Sequence, residues 1–410
     1  MKTPYFIINA DCIEENLKIL RNIIDETGCK ILLAQKCFSC YGLYPLIAKY
    51  LNGATASGLY EARLCHEEMP NAENHVFSPA FTDSDIDEII KICDHIVFNS
   101  PQQLSLYGSR AKNAGLHVGL RINPECSTQK GHAIYDPCFQ GSRLGTTLSV
   151  LQQYIKTEDG QHNFKFVDGL HFHTLCEQNS DDLATTLNAV EDKFGYLLKQ
   201  MQWLNFGGGH HITRSDYDIN LLKFCINRMQ SKYNLQVYLE PGEAIALNAG
   251  ELHSTILEIQ PKSEDGISNV IIDTSAACHM PDVIEMPYTP PLNEAYPIDN
   301  RGQTESNEAC LSCQDAKEEQ ARIGLNAKTQ NHNTYRLGGS TCLSGDIIGT
   351  YTFDHELHIG EKLIFQDMAI YSMVKTNTFN GMPLPDIYIQ KGKQITLWKH
   401  FTYQDFKSRV

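Results

Sequence analysis

The chain has 410 residues, 42% hydrophobic and 20% charged, enough apolar material to bury a substantial core, which excludes disorder throughout. Its 34 Lys and Arg stand against 49 Asp and Glu, a formal charge of −15; bulk capture of nucleic acid or an anionic membrane is thereby excluded, and a cationic small molecule suits the chain better. No run approaches the ~18 apolar residues of a spanning helix, and the N-terminal MKTPYFIINADCIEENL lacks a signal-peptide core.

Short β-rich runs recur at 31–36, 54–57, 75–78, 95–99 and 118–123, followed by 167–173, 202–206 and 237–240. Amphipathic segments lie between them. Helices are predicted at 60–68, at 83–93 with Thr82 as N-cap and Asp85 in the first turn, and at 101–113 with Ser100 as N-cap. The longer gap at 124–166 reads as a loop excursion. Eight strands alternating with helices predict an α/β fold, a (β/α)8 barrel over 10–250; an open doubly wound sheet is the alternative. After Gly250 the pattern changes to short alternating strands at 251–260, 270–273, 362–366 and 387–389, without a long helix. These predict a β domain over 251–410. Residues 1–9 join it, because a strand at 4–9 ahead of the barrel needs a sheet to pair with. A polar stretch at about 291–335 reads as an inserted surface loop.

In such a barrel the reactive groups sit at the C-terminal ends of strands. The first strand ends in Ala34-Gln35-Lys36. A lysine there is either a desolvated, nucleophilic amine of the Schiff-base kind or a side chain that snorkels to water. The sixth ends in His171-Phe172-His173, whose alternation puts both imidazoles on one side. They read as a metal pair, a ring-stacking histidine or satisfied core groups. The seventh ends in Asn205-Phe206-Gly207-Gly208-Gly209. Three glycines let backbone N–H groups approach an anion, and barrels often hold phosphate after strands seven and eight; a flexible turn is the alternative. The eighth ends in Glu240-Pro241-Gly242-Glu243. A buried Glu240 needs a cationic or protonated partner, such as a pyridinium nitrogen, and the turn points Glu243 towards substrate. Jointly, Lys36, the triple glycine and Glu240 offer an aldehyde anchor, a phosphate cradle and a pyridine-nitrogen partner. Those are the needs of pyridoxal 5'-phosphate (PLP).

Two later segments carry reactive groups. The run GGSTCLSGD at 338–346 holds Cys342 and Asp346 among glycines, either a reactive thiol or a turn with a buried cysteine. The run DMAIY ends in Tyr371, whose hydroxyl would reach a phosphate. CxxC pairs occur at Cys37/Cys40 and Cys310/Cys313. Four thiolates would suit zinc, but the first pair flanks Lys36 and the second lies in the polar stretch, so no metal is expected. Fourteen cysteines are too few for a disulfide scaffold, and a cytoplasmic location is expected.

The segments AQKCFS, HFHTLCE, NFGGGHHIT, LEPGEA, ACHMPDVIEMPY, YRLGGSTCLSGDIIGTY and DMAIYSMVKTNTFNG resemble the carboxynorspermidine/carboxyspermidine decarboxylases. These belong to the alanine-racemase-like, fold-type III group of PLP enzymes, with the ornithine and diaminopimelate decarboxylases. The resemblance covers nearly the whole chain. It implies a PLP barrel with a β domain, and a homodimer with active sites completed across the interface. It implies that Lys36 holds PLP, His173 stacks on its ring, Gly207, Gly208 and Gly209 cradle the phosphate with the partner's Tyr371, and Glu240 bonds the pyridine nitrogen. The partner's Cys342 would return a proton after CO2 leaves. Related decarboxylases carry Arg where this chain has Glu243, and an acid there favours a cationic substrate amine; Asp282 is the second candidate substrate contact. Relatives also have an acid directly after the cysteine; here that place is Leu343, and Asp346 is the nearest acid. The expected reaction is decarboxylation of a carboxylated triamine in polyamine synthesis. Another basic amino-acid decarboxylase, a racemase and a non-catalytic PLP carrier are the rivals. Glu243, Glu240 and the long C-terminal domain argue against them in turn.

Overall fold

The computed structural model describes residues 1–129, 136–298 and 333–410. The chain divides into two compact units, one formed by Glu14–Ile245 and the other by Met1–Ile13 with Ala246–Val410. Strand β1 (Tyr5–Asn9) belongs to the second. The first is a closed barrel of parallel strands: β2 (Lys30–Ala34), β3 (Gly53–Ala56), β4 (Glu73–Phe77), β5 (His95–Phe98), β6 (His117–Arg121), β7 (Val167–His171), β8 (Trp203–Asn205) and β9 (Gln236–Leu239). β9 pairs back onto β2 through Lys30↔Tyr238 and Ile31↔Leu239, which closes the ring and excludes the open sheet.

Each expected strand is present, most of them ending one or two residues earlier than the sequence pattern does, so that Lys36 and His173 lie just beyond the ladder. Helix Asp83–Ile92 starts at a Thr82/Asp85 capping box, and Pro101–Asn113 starts where Ser100 accepts from the Gln103 amide. The region 124–166 is not loop throughout: Leu148–Ile155 and Glu158–Asn163 are helices. Eight and six residues span too few turns to show a 3.6-residue period. Inside the barrel, Leu32, Val97, Trp203 and Tyr238 pack together with Phe77 against them, a solid floor beneath the strand ends. Gly169 admits the Trp203 indole, since a Cβ there would lie 2.0 Å from it.

The second unit is a mixed sheet. It contains β10 (Gly250–Ile259), β11 (Ser268–Ile272), β12 (Ala295–Ile298), β13 (Asn333–Gly338), β14 (Ile347–Phe353), β15 (Lys362–Gln366), β16 (Asp386–Lys391) and β17 (Gln394–Lys399). The strand order is β12-β14-β13-β11-β10-β1-β16-β17, with β15 on β10. The expected partner sheet for the N-terminus is found: β1 runs antiparallel to β10 and parallel to β16. The polar stretch at 291–335 needs correction at both ends, because β12 and the start of β13 lie within it. Pro297 cannot donate to a ladder, which disguises β12 in the sequence and suits its place on the sheet edge. Residues 299–332 of that stretch, with Cys310 and Cys313, lie outside the described residues. Among the described residues no helix is long and apolar enough to cross a membrane.

Candidate active site

Lys36 follows β2 by two residues, and its side chain is exposed by surface area. Its pKa is nonetheless lowered, first by burial and then by the Arg121 guanidinium, against opposing pulls from Glu240, Cys37 and Glu243. Exposure and desolvation disagree only if the surroundings are convex. An amine deep in an open concave mouth satisfies both, and that is where a ligand would reach it. A desolvated lysine is neutral more of the time and correspondingly nucleophilic.

Glu240 lies past the end of β9, buried. Asn205 Nδ2 donates to its Oε1 at 2.8 Å, and His171 Nε2 lies 3.2 Å from Oε2. Burial alone would raise this carboxyl, but His171, then His75 and the Asn205 hydrogen bond hold it well below the usual carboxylate range. Burial depresses His171 against the opposing pull of Glu240, and Arg121 and Lys36 add to the depression. The consistent state is a neutral His171 donating to an ionised Glu240. Each carboxylate oxygen has capacity for a second donor, so Glu240 retains room for a protonated ring nitrogen.

His173 is also depressed, by burial and then by Lys36 and Arg121. Its Nδ1 accepts from the Gly208 amide at 3.2 Å, so the neutral ring carries its proton on Nε2. The main chain of His173 is held by Arg121 Nη2, 3.2 Å from its carbonyl. Gly207 and Gly209 have φ of +72° and +80°. A Cβ on Gly207, Gly208 or Gly209 would come within 2.4, 2.4 or 2.0 Å of the carbonyl oxygens of Phe172, Glu240 and Leu175 respectively. The run is therefore a tight seam between strand ends. Its first two amides are taken, by Asn205 Oδ1 and His173 Nδ1. Those of Gly209 and His210 have no acceptor among the described residues. An anion would satisfy them. The fit to PLP is thus good at three points: an accessible amine, an ionised buried acid and unclaimed amides beside glycines.

The remaining expected residues lie in the sheet unit. Cys342 is exposed, with Asn380 Nδ2 3.8 Å from its sulfur. Asp346 departs from the expected substrate contact. It is buried and accepts from Ser275 Oγ at 3.0 and 2.9 Å and from Thr341 Oγ1 at 2.6 Å, so it braces the loop that carries Cys342. Asp282 is also buried and is paired with Lys375, which in turn reaches Glu285 at 2.6 Å. Tyr371 is half-buried in the left-handed region at φ +54°, with Lys375 Nζ 5.6 Å from its ring centre.

Two groups were missed in the sequence. Arg121 is buried at the end of β6, where its charge acts on Lys36, His171 and His173. An arginine closing an apolar run was the available signal. His211, the second histidine after the triple glycine, lies 2.5 Å from Glu243 Oε2.

Residues 37–369 match the family of pyridoxal-dependent decarboxylases, C-terminal sheet domain. The chain is 38% identical over 411 aligned residues to carboxynorspermidine/carboxyspermidine decarboxylase of Campylobacter jejuni subsp. jejuni, covering 100% of this chain and 98% of that protein. It is 35% identical to carboxyaminopropylagmatine decarboxylase of Synechocystis sp., covering 100% and 96%. Among solved structures it is similar to carboxynorspermidine decarboxylase from Campylobacter jejuni complexed with norspermidine, at a TM-score of 0.84, 35% identity and full coverage of both chains. Diaminopimelate decarboxylase from Helicobacter pylori, complexed with L-lysine, shares the fold at a TM-score of 0.73 and 15% identity, covering 100% and 98%.

Proposed function

The chain belongs to the pyridoxal-dependent decarboxylases, and from that premise we propose that it releases CO2 from carboxynorspermidine or carboxyspermidine, leaving norspermidine or spermidine. The observation that carries this reading is the pair of buried acids, Glu240 and Glu243, three residues apart just past the end of β9. The inner acid suits a pyridinium nitrogen and the outer one a cationic substrate amine. The full-length similarity to relatives named for these triamines supports the same substrate class.

When bound, PLP supplies the electron sink that takes up the pair left as the carboxylate departs. The chain's own groups do the rest. Lys36 would hold the cofactor through its desolvated amine. Glu240, kept ionised by Asn205 and His171, would keep a proton at the ring nitrogen. His173 would lie against the ring, and Gly207, Gly208 and Gly209 would let the main chain approach the phosphate, which the Gly209 and His210 amides would bind. Glu243 orients the substrate amine, and Asp282 serves as a second contact when it exchanges Lys375 for substrate. Cys342 holds the proton returned to the α-carbon. Cys342 and Tyr371 act from the partner in a homodimer, as the family resemblance implies, and the enzyme works in the cytoplasm.

The test is CO2 release from carboxynorspermidine, carboxyspermidine and carboxyaminopropylagmatine by the PLP-loaded protein, with ornithine and diaminopimelate alongside. Turnover of the first two is expected. Preference for ornithine or diaminopimelate would sink the triamine reading.

A further inference from the structure

Glu177 and His211 come from the loops after barrel strands β7 and β8, and Glu243 opens the short helix Glu243–Ala246 that follows β9. One ligand atom of each lies within 4.8 Å of the others. His211 and Glu243 are buried, whereas Glu177 is exposed at a positive φ of 55°. His211 Nε2 lies 2.5 Å from Glu243 Oε2, and its Nδ1 lies 3.4 Å from Arg214 Nη1. Arg214 is itself tied to Asp216 at 2.5 Å. The charge of Glu243 also reaches the Lys36 amine.

Both protonation states of His211 carry a cost here. The imidazolium satisfies Glu243 and lies near Glu177, but it turns an N–H towards the Arg214 guanidinium. The neutral ring can accept from Arg214 and donate to Glu243, but it brings no positive charge of its own to two carboxylates within 4.8 Å of each other. Burial lowers the imidazole pKa, and the hydrogen bond and charge of Glu243 more than reverse this, so the proton is held above the ordinary histidine range. A substrate ammonium has three N–H donors and would supply the missing positive charge directly.

We propose that His211 is the displaceable occupant of the substrate-amine subsite: it yields Glu243 to the ammonium of the polyamine, and amine binding is thereby coupled to loss of the imidazole proton. This rests on the triamine reading above. It adds a residue, Glu177, to the amine contacts and a pH dependence to their affinity. The same three groups would also accept a divalent cation, but a guanidinium 3.4 Å from the histidine ring disfavours doubly charged metal more than singly charged ammonium.

The test is equilibrium binding of norspermidine to the PLP-loaded protein across pH, which requires no turnover. In the wild type, affinity weakens by up to about tenfold per pH unit as pH falls through the raised imidazole pKa. In His211→Asn that acid limb disappears. Glu177→Gln, at an exposed position, weakens binding about threefold or more at a fixed pH. In steady-state assays with the carboxylated triamine the change falls on KM rather than kcat. Superimposable pH profiles for wild type and His211→Asn overturn the proposal, as does zinc binding that displaces norspermidine with no change in His211→Asn. A wild type that binds norspermidine with this pH linkage but releases no CO2 from any carboxylated triamine keeps the subsite and removes the substrate assignment instead.

Discussion

Asn205 fastens Glu240: its side-chain amide donates to Oε1 at 2.8 Å while its own Oδ1 accepts from the Gly207 amide, also at 2.8 Å. One side chain therefore sets both the acid and the start of the glycine seam, and places them on a common scaffold across adjacent strands.

Glu240→Gln keeps the shape of this arrangement and removes the charge. Turnover is expected to fall by about 10²–10³-fold, the usual cost of deleting a preorganised electrostatic partner. The apparent melting temperature should change little, because Asn205 still donates to the amide oxygen and His171 can move its proton to Nδ1 and accept from the new amide N–H. Wild-type kcat in this variant would remove Glu240 from the chemistry.

Lys36→Ala should abolish both turnover and the visible absorbance of the purified protein, since the covalent link to the aldehyde is lost. Retained colour that survives gel filtration, with turnover intact, would assign the anchor elsewhere.

Glycine 208 has no room for a methyl group. In Gly208→Ala the new Cβ would meet the Glu240 carbonyl oxygen at 2.4 Å and the His173 ring at 3.2 Å. A loss of about 1–3 kcal/mol from overpacking is expected, together with weaker PLP retention. Thermal denaturation and cofactor titration measure the two effects; an unchanged melting temperature would show that the seam yields freely.

Cys342→Ala should lower decarboxylation by about 10²-fold or more, in the range of a lost proton donor. Some product should carry the proton at the wrong position, visible by mass spectrometry of the product formed in deuterated water. Full turnover with a single product would exclude the thiol.

Acid should destabilise the fold through buried neutral histidines. Burial lowers His210 to about 4 and His279 to about 4. Their folded-state values thus lie below the unfolded value of ~6.5, so the unfolded chain binds protons first. Their contribution is intact above that value and is lost as pH falls towards 4, by up to about 1.4 kcal/mol per pH unit for each group. Urea midpoints measured between those limits should fall steadily. A flat profile would mean that both rings are already protonated in the native state.

Much of the barrel was legible because its signals are local. Thr82 and Asp85 lie three residues apart and form the cap they predict, and Lys36, His173 and Glu240 lie one or two residues past short strands of four or five residues. The short helices at 148–163 escaped for lack of length, and β12 because Pro297 breaks its pattern.

From residue order alone came the eight barrel strands, the residue types at their ends and the expectation of a PLP site. Which carboxylates are free to act was a different matter. Asp346 looks as available in the sequence as Glu243, yet the fold commits it to Ser275 and Thr341, and it pairs Asp282 with Lys375, which a substrate amine would have to displace. It also brings Arg121 to the His173 carbonyl and His211 to Glu243 across separations of 52 and 32 residues. A hydrogen bond requires its partners within about 3 Å, and only chain closure into the barrel and sheet sets distances between residues so far apart in sequence.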